Sequence, residues 1–70
     1  MAESVYKVIQ LVGTSTQSWE QAAQVAIERA AKTLRDLRVA EVVEQDLVIV
    51  DGKVEAFRTK LQVSFKFEGN

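Results

Sequence analysis

Apolar residues along this chain fall into four stretches, and their spacing predicts four elements. SVYKVIQLVG (4–13) is dense in Val, Ile, Leu and Tyr and stops at Gly13, which reads as a strand. TSTQ follows as a polar loop. Ser18 then opens SWEQ, a capping-box pattern that starts a helix and places Gln21 to reach back to the Ser18 backbone. The helix is expected to run to about Leu37. Its apolar positions Trp19, Ala23, Ala26, Ile27, Ala30, Leu34 and Leu37 recur at helical steps, and its alanines let the backbone lie close to whatever it covers. Glu20, Gln24, Glu28, Lys32 and Arg35 lie off that stripe, with Glu28 and Lys32 a favourably ordered i,i+4 pair.

VAEVVEQDLVIV (39–50) and VEAFRTKLQVSFKF (54–67) flank Asp51-Gly52, the strongest short-range signal for a β-hairpin. Centring the hairpin on that loop pairs Ala40 with Val63, Val42 with Leu61, Gln45 with Arg58 and Asp46 with Phe57. Alternation then sorts two faces. Ala40, Val42, Phe57, Leu61, Val63, Phe65 and Phe67 make an apolar bed for the helix, and Glu44 and Asp46 fall on that face toward the hairpin end. Val39, Glu41, Val43, Gln45, Arg58, Lys60, Gln62 and Ser64 make the other. The expected fold is α+β in the order β-α-β-β, a three-stranded antiparallel sheet wrapped around one helix. A helix of roughly 30 Å is shorter than a strand of ~40 Å, so the hairpin outruns it. Leu47, Val48, Ile49 and Val50 then lie near an overhanging tip without a partner, which points to symmetric self-assembly.

Composition narrows the chemistry. Seventy residues make one domain over 1–70, with a core at about 5–68. A chain this short buries only ~60% of the surface its unfolded form exposes. Without Cys or His it has neither disulfides nor Cys/His zinc sites, which leaves oxygen-ligated cations and oligomerisation as staples. No nucleophile–base constellation is present, so the chain reads as no enzyme. GTST before the helix lacks the glycine spacing and Lys of a phosphate-binding loop. A net charge of −1 and strand cations interleaved with Glu and Gln argue against nucleic acid. The absence of a long apolar run argues against a membrane partner. MAESVYKV lacks the layout of a signal peptide, and a cytoplasmic location is expected. The bland readings are that Glu41 pairs with Lys60 or Arg58, that Arg58 pairs with a nearby carboxylate, and that Trp19 packs or lies at an interface.

The combination of VGTS closing the first strand, AIERAAKTL in the helix, AEVVEQ, an acidic turn and VSFKFE at the end resembles the dodecins, from Tyr6 to Glu68. The resemblance implies a hollow homododecamer of cubic symmetry that stores or scavenges small ligands without catalysis. Its better-known members bind riboflavin, FMN or lumichrome between a Trp that opens the second strand and a Gln on the third. Aligned on those motifs, Val39 stands at the Trp position and Arg58 at the Gln position, with Gln45 beside them as a third former flavin-site position. Stacking on an aromatic ring contributes ~1–3 kcal/mol per base, which Val39 cannot supply. Arg58 only donates hydrogen bonds, where an amide does both. Trp19 stands at the helix start and does not replace the lost ring.

SWEQAA, IERA, RVAEVVEQD and KLQVSFK look more like the calcium dodecin subgroup, which lacks the flavin site. The ligand this implies is a hard cation, Ca2+ or Mg2+. Calcium takes six to eight oxygens. Glu44 and Asp46 are the candidate ligands, with Gln17 or Thr16 in the loop, or a symmetry mate, supplying the rest. Trp19, Leu47 and Ile49 are the candidate assembly and packing residues. Three readings follow: a cation-binding shell that has lost its flavin site, a shell that holds flavin in an altered geometry, and a purely structural shell.

Overall fold

The structure, a computed structural model, describes residues 3–66. It holds β1 (Tyr6–Ser15), α1 (Trp19–Ala30), β2 (Leu37–Val50) and β3 (Lys53–Lys66). The strands form one antiparallel sheet in the order β1-β3-β2, and α1 packs on β1 and β3. The β-α-β-β architecture is the expected one. Phe67, expected on the helix-side face, lies outside the described residues.

β1 does not stop at Gly13. It continues to Ser15, with Gly13 opposite Thr59. The glycine serves close approach instead: a Cβ there would overlap the carbonyl oxygen of Ala22 and crowd Ala26 Cβ. Ala22, Leu61 and Val63 form the buried apolar core with Gly13 against them. Thr59 is buried among them, and its hydroxyl donates to the Trp19 carbonyl at 2.9 Å. The helix face is therefore turned so that Ala22 is its most buried residue, while Ala23 is half-buried.

The helix starts at the expected cap, with the Ser18 hydroxyl accepting from the Gln21 backbone N–H at 3.0 Å, but among the described residues the Gln21 side chain makes no return bond to the Ser18 backbone. It ends at Ala30 rather than near Leu37. Lys32 N–H donates to the Arg29 carbonyl, and Thr33 and Leu34 N–H both donate to the Ala30 carbonyl. Those bonds close the last turn. Asp36 then takes a left-handed conformation (φ 57°), which Asp tolerates better than most residues, and β2 begins at Leu37. The apolar period runs past the helix because Leu34 and Leu37 are still half-buried, from a turn and a strand.

The hairpin turn is the expected two-residue one, with Asp51 (φ 53°) and Gly52 (φ 75°) both left-handed. Near the open end the register is also as expected, with Ala40 opposite Val63 and Val42 opposite Leu61. Between Val42 and Glu44 a bulge inserts one residue, and a second irregularity between Val48 and Ile49 restores the count before the turn. In between, Glu44 faces Lys60, Gln45 faces Thr59, Asp46 faces Arg58 and Leu47 faces Phe57. This corrects the expected pairs of Gln45 with Arg58 and Asp46 with Phe57. Because side chains alternate with period 2, the extra residue exchanges the faces. Gln45 moves to the helix side with Thr59. Glu44 and Asp46 move to the far side.

At ~1.5 Å per residue the 12-residue helix spans roughly 18 Å, whereas each 14-residue hairpin strand spans ~46 Å. The molecule is accordingly 54 Å long. Beyond Leu37 every residue of β2 is exposed. No helix among the described residues is long and apolar enough to cross a membrane.

Candidate cation site on the far sheet face

The far face between β2 and β3 carries a ladder of opposite charges. Arg58 Nε donates to Asp46 Oδ1 and Arg58 Nη2 to Asp46 Oδ2, each at 2.7 Å. One step along, Lys60 Nζ lies 3.1 Å from Glu44 Oε1. The Arg58 hydrogen bonds, reinforced by its charge and that of Lys60, hold the Asp46 carboxyl below the usual carboxylate range. The same bonds raise the Arg58 guanidinium. The bulge decides these partners. Glu41, expected to pair with Lys60 or Arg58, lies before the bulge opposite Gln62, and among the described residues both cations are paired with Glu44 and Asp46 instead.

Asp46 is also fixed through its backbone. Trp19 Nε1 donates to the Asp46 carbonyl at 3.1 Å. The indole meets Phe57 edge to face, with ring centroids 5.2 Å apart and planes at 80°, a favourable aromatic arrangement. The N-terminus of α1 is thus pinned to both hairpin strands at the point where the ladder lies. Gln17 lies two residues before Trp19. Its backbone N–H donates to Ser15 Oγ at 2.9 Å, and among the described residues its side chain bonds to neither Glu44 nor Asp46.

Val39 lies farther along the far face, opposite Ser64, and is 64% exposed. With Ile27, Leu37, Arg38, Ala40 and Val63 it borders a small apolar cavity of ≈ 130 Å³. Arg58 shares its face but not its neighbourhood, and Gln45 lies on the opposite face. The three former flavin-site positions are therefore not brought together within one chain. Leu47 packs opposite Phe57, and Ile49, 62% exposed, lies near the turn.

No cluster of three or more Asp, Glu, His or Cys occurs among the described residues. Two carboxylates, each already paired with a cation, fall short of the six to eight oxygens calcium takes. The donor set of one chain does not complete a calcium site.

The sequence matches the family model described as Dodecin over residues 5–68. Calcium dodecin of Mycobacterium tuberculosis is 52% identical over 63 residues, covering 90% of this chain and 89% of that one. Its crystal structure, described as that of a calcium-chelating immunodominant antigen with a novel calcium-binding site, is similar at a TM-score of 0.84 and 51% identity, covering 96% of each chain. The dodecin of Streptomyces coelicolor is similar at a TM-score of 0.93 and 36% identity, covering both chains in full.

Proposed function

This chain belongs to the dodecin family, and on that premise we propose that it is a self-assembling binding protein that holds a divalent cation, calcium, and no stacked flavin. The observation that carries this reading is what stands at the two flavin-contacting positions. Val39 offers no ring to stack on, and Arg58 has two of its donors committed to Asp46. A flavin reaching these two positions meets neither a ring to stack on at Val39 nor an amide edge at Arg58. The likeness to calcium dodecin supports calcium as the ligand.

Glu44, Asp46 and the loop oxygen of Gln17 are the proposed contributions of one chain, completed by a second copy. Assembly into a twelve-copy shell supplies that copy. It is supported by the exposure of Val39, Val42, Val43, Leu47, Ile49, Val50 and Val54 along the hairpin, more apolar surface than a stable monomer ordinarily leaves in water. The role is binding and storage, not catalysis.

A purely structural shell is the second reading, favoured by the fact that both carboxylates already have cationic partners. Calcium titration separates the two. A ligand that binds only the folded state raises stability by RT ln(1+[L]/Kd). Calcium is expected to raise the melting temperature of the assembled protein, and Glu44→Ala with Asp46→Ala is expected to abolish that rise. A calcium response unchanged in the double variant rejects these ligands, and no response in the parent protein leaves the structural shell.

A further inference from the structure

We propose that the cleft between β1 and the C-terminal half of α1 is a binding site for a small organic anion, a carboxylate head on an apolar body. The site shares no residue with the ladder between β2 and β3, and it stands independently of the calcium reading.

The cleft follows from how α1 meets the sheet. The helix comes closest to β1 at Gly13, where the missing Cβ makes room for the Ala22 carbonyl and the Ala26 methyl group. Past that contact the same helix face continues with Ala30, one turn beyond Ala26. Two methyl groups do not fill the space beside the strand. A cavity of ≈ 530 Å³ remains, within the range of small-molecule sites. Leu11, Val12, Val25, Ala26 and Ala30 give it apolar walls. Because β1 is an edge strand, no further strand of this chain closes the cleft from the side.

The charges on the lining have one sign. Arg29 and Lys32 border the cavity and no Asp or Glu does, in a chain whose net charge is −1. Neither cation has an ion-pair partner among the described residues. Glu28, next to Arg29 in sequence, accepts from Gln24 Nε2 instead. The C-terminus of a helix ordinarily repels anions, but here its carbonyls are occupied. Ile27 accepts from Ala31 N–H, Arg29 from Lys32 N–H, and Ala30 from Thr33 and Leu34 N–H. A neutral apolar molecule would leave both cations without a partner, and an inorganic anion would leave the walls in water. An anion with an apolar body satisfies both.

The test is isothermal titration of the assembled full chain with sodium octanoate and with octanol. Octanoate is expected to bind saturably, one per chain, and octanol more weakly. Arg29→Gln and Lys32→Gln are each expected to weaken octanoate about two- to fivefold, the span of an exposed ion pair. Ala30→Leu, which fills the cleft and keeps both cations, is expected to abolish binding. Octanoate binding unchanged in Ala30→Leu overturns the proposal, as does equal affinity for octanoate and octanol. If Ala30→Leu does not assemble, the Arg29→Gln, Lys32→Gln double variant carries the test, weaker binding supporting the proposal and parent affinity overturning it. A parent protein that binds no octanoate overturns it as well; a change of assembled mass in Ala30→Leu would then assign the cleft to a second copy of the chain.

Discussion

Asp46 is the residue on which the account turns, because one side chain is asked to serve a strand pair and a ligand. Its bonds to Arg58 hold its folded-state pKa below the usual range. The stabilisation this gives is therefore complete above the unfolded pKa of ~3.9. It is lost as pH falls through the lower folded value. Asp46→Asn is expected to lower the melting temperature near neutral pH, with the gap from the parent closing below about pH 4; melting curves across an acid series check it. A gap that stays constant to low pH would mean that the carboxylate's charge contributes nothing. The identity of this residue as a candidate was legible in RVAEVVEQD, but its surroundings were not. Glu41, Glu44 and Asp46 are spaced three and then two apart, and that odd step is the one trace of the bulge at Val43. Strict alternation carried through it puts both carboxylates on the wrong face.

At the level of elements, the signals that depend on local chemistry were the readable ones. Asp51-Gly52 gives its turn because both positions need a left-handed backbone. Ser18 caps its helix because its hydroxyl satisfies an amide of the first turn. Two boundaries depend on tertiary contact and were not readable. The helix ends seven residues before its apolar stripe does, since a turn and a strand carry the last two leucines. Gly13 looked like a stop and is a contact point between β1 and α1. Gly13→Ala is expected to push α1 off the sheet, because backbone blocks the new methyl group. A loss of about 1–3 kcal/mol, the usual range for overpacking, is expected in urea unfolding. Near-parent stability in that variant would contradict the close approach of Ala22.

For the whole molecule, the decisive feature is how little one chain buries. Among the described residues the fully enclosed side chains are few, α1 packs mainly on β1 and β3, and the hairpin of this 54 Å long molecule carries exposed valines and an isoleucine to its tip. Length and the overhang made this legible in advance. The family match over residues 5–68 gives the architecture its kin. The site was less legible than the fold. A sequence shows which residues carry carboxylates, while their partners follow from a register that a single inserted residue can shift.

Native mass spectrometry of the untagged protein, purified without added ligand and then exposed to calcium, reads assembly and ligand in one spectrum. A particle of twelve copies that gains mass in calcium increments and carries no flavin mass is expected. A monomer or dimer, or a flavin-loaded particle indifferent to calcium, would contradict it.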